Sequence, residues 1–229
     1  MKQTSKTKPA DFFPYGRLRR AFKQTRRFAA VTLAVLLLPG TVLAGETTVI
    51  VMLGDSLTAG YGLAQQNSLP AKLQTHLRAQ DLDVRIINAG VSGDTTSGGL
   101  ARLDWALADP PSHVIVALGA NDGLRAIDPA LTADNLDRII TELKSRGIIV
   151  LLAGMRAPPN LGRDYATEFD QIYPRLAEKH SVALYPFLLD GVAATADLNQ
   201  SDGMHPNAAG VDVIVERLGP YVIKLLNKN

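Results

Sequence analysis

The chain has 229 residues, 46% of them hydrophobic and 20% charged, with a formal net charge of +2 and a pI near 8.9. That composition belongs to a globular chain and not to a disordered one, and the length suits one domain with a full core. Cysteine is absent, which excludes a disulfide framework, a thiolate metal site, a cysteine nucleophile and a lipidated N-terminal cysteine.

The positive charge is concentrated at the start. Residues 1–27 hold nine Lys and Arg against the single acid Asp11. An uncharged apolar run, Phe28 to Leu38, follows, then the breaker Pro39-Gly40 and the small or apolar residues Thr41 to Ala44. A basic segment, a short apolar stretch and a small-residue boundary predict a secretory signal peptide over residues 1–44, cleaved after Ala44. The run is short for a membrane span, which needs about 20 apolar residues. Arg19-Arg20 ahead of Phe22 partly resembles a twin-arginine signal, so the export route stays open. Without residues 1–44 the chain has 185 residues with 15 basic and 21 acidic groups, a net of −6. Nucleic acid is then not an expected partner.

Beyond this segment, short apolar runs alternate with helical patterns. Val49–Leu53 reads as a buried strand ended by Gly54, and Leu69, Leu73 and Leu77 predict a helix over about 69–80. Val84–Asn88 is a second strand, followed by a Gly/Ser/Thr-rich loop and a helix near 97–108. Val114–Leu118 is a third strand. Leu136, Ile139, Ile140 and Leu143 mark a helix over about 132–145, and Ile148–Leu152 is a fourth strand. A helix over about 165–179 precedes a short strand at Val182–Tyr185. Pro206 is expected to open a last helix carrying Val211, Ile214, Leu218, Val222 and Leu225. Near-continuous apolar strands joined by helices predict one doubly wound domain, a parallel sheet of about five strands covered on both faces. Ligands bind such sheets at the C-terminal strand ends.

Polar blocks sit at those ends. Ser56, in Gly54-Asp55-Ser56-Leu57, can present a hydroxyl at the sheet edge, although a serine there is commonly a turn or cap residue. A serine nucleophile needs a base. His76, His113 and His180 fall in or beside helix and strand patterns as ordinary surface or partly packed residues. His205 stands apart, because Asp202 lies three residues before it across a glycine turn that can return the carboxylate to the imidazole. Asp55 adjoins Ser56, and adjacent side chains diverge, so its role is read as structural. The Ser56 and Gly93 N–H groups and the Asn121 amide can serve a developing oxyanion, with glycine allowing close approach at position 93. No His or carboxylate pair has metal-ligand spacing, and loop 90–99 lacks both a phosphate-binding lysine and a dinucleotide fingerprint. No cofactor is expected.

Four segments in order, Gly54-Asp55-Ser56-Leu57, Ser92-Gly93-Asp94-Thr95, Gly119-Ala120-Asn121-Asp122 and Asp202-Gly203-Met204-His205-Pro206-Asn207, resemble the motif blocks of the SGNH (GDSL) hydrolases. Gly98-Gly99-Leu100-Ala101-Arg102-Leu103, Gly123-Leu124-Arg125, Gly60-Tyr61 and Ile172-Tyr173-Pro174 are similar to the bacterial arylesterase branch that includes thioesterase I/lysophospholipase L1. The resemblance implies a three-layer α/β/α flavodoxin-like sandwich and a metal-free serine hydrolase. It implies Ser56 as nucleophile, His205 as base and acid, Asp202 as its orienter, and Ser56, Gly93 and Asn121 as oxyanion hole. Gly90 lies in the same loop, but the motif falls on Gly93. Arg156-Ala157-Pro158-Pro159-Asn160 matches a loop bordering the acyl site, so Leu57, Arg156, Ala157 and Met204 are the candidate substrate residues. The small Ala157 leaves chain-length preference open, and Ala120 replaces a glycine common in that branch.

The expected protein is an exported, monomeric serine esterase for aryl esters, short to medium acyl esters and thioesters, and lysophospholipids. Two alternatives remain at this point. One is a carbohydrate O-acetylesterase on the same fold, separable by rates on acetylated sugars. The other is a silent lipid- or glycan-binding module, separable by covalent labelling of Ser56 with a fluorophosphonate.

Overall fold

The protein is described by a computed structural model over residues 47–227, so the signal peptide expected at residues 1–44 lies outside the described residues. The elements in chain order are β1 (Thr48–Gly54), α1 (Ser56–Ala59), α2 (Leu69–Arg78), β2 (Val84–Gly90), α3 (Thr96–Ala101), α4 (Leu103–Ala106) and β3 (His113–Ala117). They continue as α5 (Ala120–Leu124), α6 (Pro129–Ser145), β4 (Ile149–Ala153), α7 (Arg163–Asp170), α8 (Ile172–His180), β5 (Ala183–Tyr185) and α9 (Ala208–Leu226).

The five strands form one parallel sheet in the order β2-β1-β3-β4-β5. Chain direction within the sheet reverses once. The crossover from β1 runs outward to β2, and every later crossover runs the other way. Right-handed crossovers therefore place α2 on one face and α3 to α8 on the other. The chain then returns after β5, and α9 packs against α2 on the first face. The expected three-layer sandwich is the observed one.

The core follows from the strand sequences. Ile50–Leu53, Val114–Ala117 and Val150–Ala153 are buried along their whole length, as strands covered on both faces must be. Helices contribute single stripes. Val211, Ile214, Leu218, Val222 and Leu225 of α9 are all buried, each contributing about 1.5–3 kcal/mol by removal from water.

The departures from expectation have local causes. Pro206 does not open the last helix. It pairs with Asn199 in an isolated bridge, and Asn207 caps α9 by accepting the Gly210 N–H (3.0 Å). The helix expected at 165–179 is two helices divided at Gln171, because Pro174 has no N–H to offer the Asp170 carbonyl. The helix expected near 97–108 divides at Arg102. The helix expected from 132 begins at Pro129, behind the cap Asp128, which accepts the Ala130 N–H at 2.8 Å. His113, expected as a surface or partly packed residue, is buried at the start of β3.

Candidate active site

The sheet order reverses between β1 and β3, and a crevice opens beyond the C-terminal ends of these strands. β1 ends at Gly54 and delivers Asp55-Ser56. β3 ends at Ala117 and delivers Gly119 and Asn121. Their neighbours β2 and β4 deliver the loops of Gly93 and of Arg156-Ala157. A cavity of about 450 Å³ opens here, and Ser56, Gly93, Asn121 and His205 line it. Leu57, Arg156, Ala157 and Met204 line the same cavity. Asp202 stands behind His205, off the wall.

Ser56 is the first residue of α1, a helix too short for any hydrophobic periodicity. Asp55 caps it by accepting the Leu57 N–H (3.0 Å), which leaves the Ser56 N–H without an intrahelical partner by position. The Ser56 hydroxyl lies 2.9 Å from His205 Nε2, and His205 Nδ1 lies 2.6 Å from Asp202 Oδ2. A proton on Nδ1, facing a carboxylate, makes Nε2 the acceptor for the serine hydroxyl. Asp202 is held in turn, because its Oδ1 accepts both the Met204 N–H (2.9 Å) and the His205 N–H (3.0 Å). These bonds, from His205 N–H, from Met204 N–H and then from the imidazole, pull its carboxyl down to about 2. Asp202 therefore stays ionised at any pH where an imidazole can act as base.

The donors are fixed separately. Gly93 has φ +85°, a left-handed conformation natural to glycine, and its carbonyl accepts Arg125 Nη2 at 2.9 Å. Gly119 has φ +114°, and a Cβ there would fall 2.1 Å from the Tyr173 hydroxyl, which itself donates to the Leu118 carbonyl (3.0 Å). That turn starts α5 and aims Asn121 back at the crevice. Asn121 Nδ2 donates to the Asp94 carbonyl (2.9 Å) and, more weakly, to Asp55 Oδ2 (3.3 Å).

Several contributors were not visible as such in the sequence. Asp55 is structural, as expected, but it is fully buried and touches Asn121 as well as capping α1. Asp122, also buried, accepts the Thr96 N–H (2.8 Å) and hydroxyl (2.6 Å), tying α5 to α3. The Tyr61 ring packs on the imidazole of His205 with centroids 4.7 Å apart. Arg156 stacks over Phe187, 4.7 Å from its centroid, at the cavity rim. In the sequence, Gly60-Tyr61 and Asp122 figure only as motif residues. Their contacts join residues far apart in sequence, which no local pattern encodes. Among the described residues, no group of three or more His, Asp or Glu side chains is gathered to hold a metal ion, and no helix is long and apolar enough to cross a membrane.

Burial pushes the Asp55 carboxyl up to about 6, against the lowering effect of the Leu57 N–H and the Asn121 amide. In the unfolded chain an aspartate titrates near about 3.9. Between these values the folded state holds a proton that the unfolded state has lost. The stabilisation is thus complete below about pH 4 and is lost as pH rises through about 6, amounting to about 3 kcal/mol. Asp55→Asn removes this slope. Denaturant titrations from pH 4 to 8 should show the variant gaining up to about 3 kcal/mol relative to wild type. A pH-independent difference would contradict this assignment.

A hydroxyl, imidazole and carboxylate in series, beside N–H donors in a largely apolar cavity, is the equipment of an acyl-transfer enzyme. A family profile described as the GDSL-like lipase/acylhydrolase family matches residues 52–213, and the chain belongs to that family. Esterase TesA of Pseudomonas aeruginosa is 40% identical over 184 residues, 80% of this chain and 90% of TesA. Thioesterase 1/protease 1/lysophospholipase L1 of Escherichia coli K12 is 36% identical over 207 residues, 90% of this chain and 97% of that protein. The crystal structure of AlinE4, an SGNH-hydrolase family esterase, is 52% identical and superposes with a TM-score of 0.67, covering 80% of this chain and 98% of AlinE4. The chain is an ester-hydrolysing enzyme.

Proposed function

We propose that this protein is an exported serine esterase that cleaves aryl esters, short to medium acyl esters and thioesters, and lysophospholipids through an acyl-serine intermediate. The observation that carries the reading is the unbroken hydrogen-bond series that runs from Ser56 and His205 at the cavity wall back to Asp202. Ser56 Oγ adds to the substrate carbonyl carbon while its proton passes to His205 Nε2. The carbonyl oxygen becomes an oxyanion facing the Ser56 and Gly93 N–H groups and the Asn121 amide. Collapse expels the alcohol or thiol, which takes the proton from Nε2 and leaves the acyl group on Ser56. Water then adds to that ester, giving its proton to Nε2, and the acid departs as Ser56 recovers the proton. Every reacting group belongs to one chain, so the proposed chemistry does not require a second copy, and we propose that the enzyme acts as a monomer.

Substrate breadth is read from the cavity wall. Met155, Ala157, Pro158, Phe187 and Leu189 give it an apolar lining suited to an acyl chain. The proposed export rests on residues 1–44, with cleavage after Ala44 and delivery to the periplasm or medium. N-terminal sequencing of the cell-free or periplasmic protein tests it, and recovery of residues 1–44 on that protein refutes it. An ester and thioester chain-length panel, with fluorophosphonate labelling mapped to Ser56, tests the chemistry. Absence of both turnover and label would reject it.

Ala157 offers a sharper check. It lines the cavity, and its backbone N–H is pinned by Asp170 Oδ1 (2.8 Å), so a larger side chain is expected to take up cavity space. Ala157→Phe should lower the octanoate-to-acetate ratio of kcat/KM at least about 10-fold, since even one methylene in an apolar pocket is worth about 10-fold or more. An unchanged ratio would mean that the acyl chain lies elsewhere.

A further inference from the structure

Arg102 stands at the junction of α3 and α4 with its guanidinium turned under the site, its side chain only 16% exposed. Its Nε donates to Asp94 Oδ2 (2.5 Å) and its Nη2 to the Gly54 carbonyl (2.9 Å), while Nη1 is buried without a partner among the described residues. The two acceptors belong to different strand-end loops. Gly54 closes β1 immediately before Asp55-Ser56, and Asp94 follows Gly93 in the loop after β2. The Asp94 carbonyl then accepts Asn121 Nδ2 from the end of β3 (2.9 Å). One guanidinium is thus linked by short hydrogen-bond paths to all three loops that supply the proposed oxyanion donors.

We propose that Arg102 is a positioning residue that sets the spacing of the Ser56, Gly93 and Asn121 donors; the proposal rests on the esterase reading above. The chemistry suits arginine. A planar fork holds two acceptors at a fixed angle, which a lysine ammonium on a flexible stem does not. An exposed ion pair contributes little, but this one is largely shielded from water. The Asp94 carboxylate sits in the space that Gly98 leaves open, since a Cβ there would lie 2.6 Å from Oδ1. Arg125 supports only the Gly93 carbonyl and is exposed, so it cannot take over the link between loops.

Donor spacing matters most when charge has developed on the substrate oxygen. Arg102→Lys, Arg102→Met, Asp94→Asn and Gly98→Ala are therefore each expected to lower kcat on p-nitrophenyl acetate by about 10- to 100-fold, in line with the cost of displacing reacting groups by about 1 Å. KM should stay within about 3-fold, as expected when only transition-state contacts are weakened. The inhibition constant of a trifluoromethyl ketone, whose carbonyl oxygen becomes an anion when Ser56 adds to it, should rise by the same factor as kcat falls. A general loss of folded protein would not produce that match.

Variants with wild-type kcat and inhibition constant overturn the proposal. So does a loss of kcat with an unchanged inhibition constant. If the Arg102 variants do not fold, Asp94→Asn decides on the same criteria, because it removes the ion pair and keeps the Asp94 carbonyl. The wild-type arm separates the two levels of failure. Wild-type protein without turnover or fluorophosphonate label overturns the esterase reading, and this proposal with it. Wild-type turnover with indifferent variants overturns this proposal alone.

Discussion

Replacing Ser56 with alanine is expected to lower kcat on p-nitrophenyl esters by on the order of 10⁶-fold, the scale on which hydrolases lose turnover when the nucleophile is removed. The site around it should survive. Among the described residues, the side-chain bond of Ser56 is the one to His205 Nε2, and the cap of α1 is made by Asp55. Melting temperature should therefore be close to wild type, and KM should change little because the apolar cavity wall is untouched. Without Oγ no acyl-enzyme can form. The Gly93 and Asn121 donors would still hold a carbonyl, so a residual rate of about 10³- to 10⁴-fold over water should persist. Turnover near the wild-type rate, or a fluorophosphonate label on the variant, would falsify the acyl-serine mechanism.

The second large effect belongs to Asp202→Asn, expected to cost about 10⁴-fold in kcat. In this variant the side-chain oxygen can still accept the Met204 and His205 N–H groups, as Oδ1 does now. The amide nitrogen then occupies the place of Oδ2 and presents hydrogens to His205 Nδ1. The imidazole must answer with a bare Nδ1, which moves its proton to Nε2. Facing Ser56 is now a donor instead of an acceptor, and the serine proton has no destination. Geometry is preserved while direction is reversed. Fluorophosphonate labelling should slow in parallel with kcat, with little change in melting temperature. A loss under 10-fold would mean that Asp202 does not govern the tautomer.

How much of this could be read from the sequence varied with the range of the interaction. The strands were legible because Ile50–Leu53, Val114–Ala117 and Val150–Leu152 are buried on both faces, and such strands write themselves as unbroken apolar runs. Ser56 and Asn121 were legible because a parallel sheet puts every strand's C-terminal end at one edge. His205 and Asp202 were legible because three residues separate them. Short helices escaped, since α1 and α5 have four and five residues and complete too little of a turn pattern to show a period. Pro206 misled because a proline before an apolar stripe has the look of a first helical residue, whereas the side chain of Asn207 does the capping. Pro174 carried its warning openly, but the apolar spacing across Gln171 masked it. Least legible were the contacts of Asp55, Tyr61 and Arg102, which depend on loops meeting across the sheet edge.

The separation of 149 residues between Ser56 and His205 has a consequence for the timing of activity. The proposed nucleophile is synthesised early, just after β1, while its proposed base arrives just ahead of α9, the last described element. Before His205 is in place, the Ser56 hydroxyl lacks the proton acceptor that the proposed mechanism requires. Under the proposed mechanism, the reactivity of Ser56 therefore reports whether the segment carrying His205, ahead of α9, is in place.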